Sequence, residues 1–328
     1  MSRRLPVAMV LALISGALYQ GVLATGAVAS QQAQVAMLRP ARGQPHPSNL
    51  WDSTPIPAVG AAAKAAWRRA PMPSPILPSE SELKQENRFI SYNSPRGCGP
   101  RFGPHVTSRI CRLGDPTSKH VVALLGDSHA GMWLAAIEAD ARAQGFAVVP
   151  LDKPGCILTV IHRNTAQWPC GSWYQWAVRQ DHKLHPVATI VSFQLSTELQ
   201  ADPDATIGML QAVLSQVRHG VLLTDPPGQT QQPSDCIFRP KATMGECSSR
   251  VPDTYVPLMH AIAQMSAQTH HPAIPTLQWF CAKGVCPMVI DHTLTTRDTS
   301  HFTLQYSEAL APVLGPELKV ILSRLEHG

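Results

Sequence analysis

Val121-Val122-Ala123-Leu124-Leu125-Gly126-Asp127-Ser128-His129-Ala130-Gly131 is the stretch that decides how this chain folds. It opens as an uninterrupted apolar run and breaks off at Gly126. Apolar residues at helical spacing follow: Met132, Trp133, Ala136, Ile137 and Ala139. A short apolar run closed by glycine and followed by helical periodicity reads as a buried parallel strand turning into a helix. Ligands of parallel sheets bind beyond the carboxyl ends of the strands, so Ser128 stands where a nucleophile is useful. The plainer role for a serine at such a place is a helix N-cap.

Working outward, strands are expected at 120–125, 146–151, 187–193, 220–224 and 273–279. The last is interrupted by proline, which places it near a sheet edge. Helices are expected over 132–144, 173–182, from Asp202 or Asp204 to 218, and over 253–268 and 303–325. Strands alternating with helices imply an α/β fold, a parallel sheet with helices on both faces. No G-x-G-x-x-G follows the first strand and there is no Walker loop, so a nucleotide site is unsupported.

The chain has 328 residues, of which 44% are hydrophobic, enough for a sizeable core. Its net charge of +5 is modest and its basic residues are scattered, so nucleic acid is not an expected partner. Arg3 and Arg4, an apolar run to about residue 23, and Ala27-Val28-Ala29 form an export signal over 1–29. The length of the run leaves an uncleaved membrane anchor as the alternative. Either reading places the remainder in the periplasm or outside the cell. Residues 30–86 are rich in Pro and Ala and read as a linker with one short helical piece near 61–69; the folded domain is expected over 87–328.

Eight cysteines fall in four close pairs, and export favours their oxidation. Neighbour pairing is the economical reading: Cys98–Cys111, Cys156–Cys170, Cys236–Cys247 and Cys281–Cys286. Each bridge would staple a loop and stabilise the fold by roughly 3 kcal/mol in the chain-entropy model. A zinc site on Cys281 and Cys286 competes, but the spacing is not the usual C-x-x-C. No metal and no cofactor is therefore expected. His270, His271 and His292 read as solvated. Trp168, Trp173 and Trp176 read as core aromatics before they read as a sugar-stacking wall.

Two short blocks carry the chemistry. Gly126-Asp127-Ser128-His129 ends the first strand, and Asp298-Thr299-Ser300-His301 precedes the last helix. Acyl transfer needs a serine, a base to take its proton and an acid to orient that base. The first block is not the G-x-S-x-G elbow, because its fifth residue is Ala130. His129 adjoins the serine on the same turn and reads as a supporting or surface residue.

Together with Lys153-Pro154-Gly155-Cys156 and with Trp279-Phe280-Cys281 leading through Cys286 to Asp298-x-x-His301-Phe302, these blocks resemble the SGNH (GDSL-type) hydrolase superfamily. The likeness is closest to the SGNH domain attached to acyltransferase-family-three proteins that O-acetylate cell-surface polysaccharides. It implies a flavodoxin-like three-layer α/β/α sandwich, with Ser128 as nucleophile, His301 as base and Asp298 as its orienting acid. It further implies an oxyanion hole from the Ser128 N–H and Gly155. The superfamily's G-x-N-D block is absent, and Gln194 in Ser192-Phe193-Gln194-Leu195 is the candidate substitute.

The expected function is therefore an exported serine acyl-transfer enzyme. It would move an acetyl group to, or hydrolyse one from, cell-envelope carbohydrate, with a separate membrane acyltransferase as a possible donor partner. The alternative is a non-catalytic SGNH-fold module that presents a glycan cleft to such a partner.

Overall fold

The computed structural model of the chain describes residues 56–86, 98 and 103–327. The expected signal or anchor over 1–29 and the linker up to residue 55 lie outside the described residues. The described chain opens with α1 (Pro57–Trp67) and α2 (Glu80–Glu86). Next come β1 (Leu113–Gly114), β2 (Val121–Gly126), α3 (Ser128–Gly131), α4 (Leu134–Gln144) and β3 (Ala147–Pro150). They are followed by α5 (Cys170–Leu184), β4 (Ala188–Ser192), α6 (Thr197–Ala201), α7 (Pro203–Leu214) and β5 (Gly220–Leu223). The last part holds α8 (Pro233–Ile237), β6 (Ser248–Arg250), α9 (Tyr255–Gln268), β7 (Ala273–Ile274), β8 (Val285–Pro287), β9 (Val289–Ile290), β10 (Thr293–Leu294) and α10 (Leu304–His327).

The central sheet runs β1-β3-β2-β4-β5-β7. All its pairings are parallel except β1 on β3. With β1 set aside, the order is that of a flavodoxin-like doubly wound sheet, whose direction of winding reverses between β2 and β4. Side chains alternate across it. Val122, Leu124, Val148, Ile190 and Leu223 pack with α4 and α10 on one face. Val121, Ala123, Leu125, Val149 and Val191 pack with α5, α7 and α9 on the other. Both faces of β2 are buried, which is why its sequence is apolar throughout rather than alternating.

Three local outcomes differ from expectation. The linker expectation for 56–86 gives way, because α1 is part of the fold. Ala58, Val59, Ala62, Ala63 and Ala66 are buried at helical spacing, and α1 lies against β8 and β9. Small side chains allow that close approach, and Pro57 sits in the first turn, where its missing N–H costs nothing. The fifth parallel strand stops at Ile274, since Pro275 cannot continue the ladder; Leu277–Trp279 form a 3₁₀ turn instead. The cap of the helix after β2 is Asp127, whose carboxylate accepts the His129 N–H at 2.8 Å. The hydroxyl of Ser128 is thus released from the capping role.

The four disulfides join Cys98–Cys111, Cys156–Cys170, Cys236–Cys247 and Cys281–Cys286. Among the described residues, no helix is long and apolar enough to cross a membrane.

Candidate active site

Ser128 is the first residue of α3, at the carboxyl end of β2 and beside the point where the sheet reverses its winding. Gly126 makes the sharp exit possible. A Cβ there would lie 1.7 Å from the Ser192 carbonyl oxygen and 2.8 Å from the Ala130 side chain, so only glycine fits.

His301 reaches Ser128 from the far end of the chain. Phe302, its neighbour, packs edge-on against Trp133 with ring centroids 4.7 Å apart. Trp133 also meets Trp279 and Phe280 edge-on. Aromatic pairs of this kind add about 0.5–1.5 kcal/mol each beyond their burial. The cluster locks the loop before α10 onto the turn after β2. The Ser307 hydroxyl donates to the Met132 carbonyl oxygen at 2.7 Å and ties the two helices again.

The result is an unbroken polar line. His301 Nε2 lies 2.8 Å from Ser128 Oγ, and His301 Nδ1 lies 2.9 Å from Asp298 Oδ2. Asp298 Oδ1 also accepts the backbone N–H groups of Ser300 and His301 at 2.8 and 2.7 Å. Burial works against ionised Asp298, but the His301 ring and these N–H groups outweigh it and hold the carboxyl well below its usual range. An ionised Asp298 accepts from Nδ1–H, which leaves Nε2 free to accept the serine proton. Asp298 is thus a turn-capping residue and a histidine-orienting residue at once.

Gly155 and Gln194 lie on the loops after β3 and β4, the two strands that flank β2. Gly155 has φ 80°, which favours glycine, and its Cα side faces the Trp168 ring. The backbone N–H of Gln194 is taken by Asp127 Oδ2 at 3.0 Å, while its side-chain amide makes no hydrogen bond among the described residues. Trp173 and Trp176 are core residues; Trp168 is only half-buried and sits against the Gly155 turn.

Sequence reasoning missed a second histidine–aspartate pair. His129 Nδ1 lies 2.6 Å from Asp225 Oδ1, and both side chains are sealed from solvent. Burial alone would lower the imidazole pKa, but Asp225, with Asp127 and Asp298 behind it, overrides this and lifts it to about 9. Asp225 lies two residues beyond β5 and before two prolines, a strand-end position of the kind that carries function in such sheets. That position was the available signal. Asp152, beyond the end of β3, is also fully buried and finds no hydrogen-bond partner beyond its own backbone. Burial first, and the charge of Asp127 second, raise its carboxyl to about 7. No cluster suited to a metal ion occurs among the described residues.

A family model described as an SGNH domain fused to AT3 domains matches residues 97–316. No curated protein matches the chain in sequence. Among solved structures, the periplasmic domain of a lipopolysaccharide acetyltransferase from Salmonella ser. Paratyphi A shares the fold at a TM-score of 0.52 and 11% identity, covering 63% of this chain and 86% of that one. A GDSL-like lipase from Parabacteroides merdae ATCC 43184 aligns at a TM-score of 0.36 and 9% identity, over 62% of this chain and 97% of its own. A carbohydrate esterase aligns at a TM-score of 0.37 and 14% identity, over 63% and 68%.

Proposed function

The chain belongs to the family of SGNH domains fused to AT3 domains, and from that premise we propose that it is an exported serine acyl-transfer enzyme acting on acetyl esters of cell-envelope carbohydrate. The observation that carries the reading is the line Ser128–His301–Asp298, with contacts of 2.8 and 2.9 Å. Four disulfides, formed between all eight cysteines, support an oxidising compartment.

In the first half-reaction, Ser128 Oγ bonds to the ester carbonyl carbon while its proton passes to His301 Nε2. The carbonyl π pair moves onto oxygen, and Asp298 steadies the imidazolium. The oxyanion faces the Ser128 N–H, an unpaired donor of a helix first turn, with the Gly155 N–H and the Gln194 amide as further donors. When the C–O bond to the leaving group breaks, the departing alkoxide takes the proton from Nε2, leaving acetyl-Ser128. A water or a carbohydrate hydroxyl then gives its proton to His301 and takes the acetyl group by the same steps in reverse. Trp168, half-buried against the Gly155 turn, is the candidate aromatic for a sugar contact. In the transferase version the acetyl group comes from a membrane acyltransferase.

Ser128→Ala tests the reading on a chromogenic acetate ester. Turnover is expected to fall to background, and a fluorophosphonate probe is expected to label the wild-type serine. Full turnover in the variant, with no labelling of the wild type, would leave a glycan-binding module as the function of this fold.

A further inference from the structure

We propose that Asp127, His129 and Asp225 form a buried clamp that positions Gln194 opposite Ser128 as an oxyanion donor. The inference rests on the reading of Ser128 as the nucleophile.

The clamp is visible in how two carboxylates spend their oxygens. Asp127 Oδ1 accepts the His129 N–H at 2.8 Å, and its Oδ2 accepts the Gln194 N–H at 3.0 Å. Asp225 Oδ1 meets His129 Nδ1 at 2.6 Å, and its Oδ2 accepts the Leu195 N–H at 3.0 Å. Each carboxylate therefore holds one point on the nucleophile turn and one on the loop after β4. The successive N–H groups of Gln194 and Leu195 are both engaged, which fixes the peptide between them. Gln200 Nε2 donates to the Leu195 carbonyl oxygen at 2.7 Å and holds the same residue from its other side. The Tyr255 hydroxyl donates to the Asp225 carbonyl oxygen at 2.9 Å and anchors the outer jaw.

Register supplies the target. Gly126 and Ser192 are the last pair of β2 and β4, so Ser128 and Gln194 each lie two residues beyond it, on the neighbouring segments that leave the two strands. The Gln194 backbone is pinned by the clamp, while its side-chain amide makes no hydrogen bond among the described residues. A pinned backbone with an uncommitted amide is what a pre-organised donor needs, since a loose one would have to be ordered during the reaction.

Charge explains why His129 belongs to the device. Two carboxylates buried this deeply, with Asp127 and Asp225 at 0% and 4% exposure, repel one another across the turn. His129 touches both, its N–H donating to Asp127 and its Nδ1 meeting Asp225, and its positive charge offsets the burial and the mutual repulsion that push the Asp127 carboxyl pKa up. His129 does not compete for the serine proton, because Ser128 Oγ is already held by His301 Nε2. It is a positioning residue.

The test is a double-mutant cycle on the full chain with 4-nitrophenyl acetate. Gln194→Ala is expected to lower kcat by roughly a hundredfold, as loss of one oxyanion donor does. His129→Gln is expected to lower kcat by ~10-fold or more with KM nearly unchanged, by misplacing that donor. The double variant His129→Gln/Gln194→Ala should then be no worse than Gln194→Ala alone. Losses that multiply in the double variant, or an unchanged kcat in either single variant, would overturn the clamp. Asp225→Asn keeps the side-chain shape and goes through the same cycle if His129→Gln does not fold. Ser128→Ala is run alongside: undiminished turnover there removes the nucleophile reading itself, whereas a dead Ser128→Ala with multiplying losses removes only the clamp.

Discussion

Two histidine–aspartate pairs stand side by side next to one serine, their imidazole centroids 4.8 Å apart. Both rings turn Nδ1 toward a carboxylate. His301 and Asp298 keep 22% and 33% of their side chains exposed, whereas His129 and Asp225 keep 2% and 5%. The Nε2 of His301 ends on Ser128 Oγ; that of His129 ends in the interior with no hydrogen-bond partner. The same two functional groups thus serve different ends. In the proposed reaction the exposed pair takes up and returns a proton within each turnover, whereas the buried pair serves as a strut.

The largest expected effect separates the pairs by rate. Asp298→Asn should lower kcat on an acetate ester by roughly 10⁴-fold, because the His301 tautomer is no longer enforced. Asp225→Asn leaves the proposed base intact and should cost ~10- to 100-fold. Equal losses in steady-state assays would erase the distinction.

A second expectation separates them by pH. The folded-state pKa of His129 is raised to about 9, above the ordinary histidine value. Its contribution to stability is therefore complete below about pH 6.5 and lost as pH rises through about 9, on the order of 3 kcal/mol in all. The carboxyl of Asp298 is depressed, so its contribution is present above the ordinary carboxylate range and lost only as the solution becomes strongly acidic. Thermal melts across pH should show His129→Gln flattening the alkaline side and Asp298→Asn the acid side. An unchanged alkaline slope in His129→Gln would contradict a charged, buried ring.

A third expectation concerns a carboxyl buried with no imidazole at all. Asp152 lies beside α3, where a Cβ on Gly131 would come within 2.8 Å of its Oδ2. With its folded-state pKa raised to about 7, it favours the fold at low pH and opposes it as pH climbs from about 4 through 7. Asp152→Asn should raise stability at pH 8 by on the order of 4 kcal/mol and leave it unchanged at pH 4. A gain at both values would mean that packing, not charge, governs the position.

Much of this was legible in the sequence, for physical reasons that stop at definite residues. β2 could be read because burial on both faces leaves an unbroken apolar run, and the turn after it because glycine is required there. His301 could be paired with Ser128 because both belong to short blocks of reactive residues. Asp225 could not be paired with His129: 96 residues separate them, and nothing local marks a carboxylate that will meet an imidazole only after the sheet forms. A short helix near 61–69 was legible, but its place in the core as α1 was hidden by composition. Its buried face is alanine, which carries little hydrophobic signal, and prolines surround it. β1, two residues long, falls below any periodicity.

The disulfides have a consequence for how the chain reaches this state. Partners are 5, 11, 13 and 14 residues apart, so no bridge waits for a distant segment. Closing a short loop costs less chain entropy than closing a long one, so a reduced, unfolded chain meets its correct thiol partners more often than its wrong ones. Oxidation can run segment by segment with little reshuffling, and demand for a disulfide isomerase should be low even with eight cysteines.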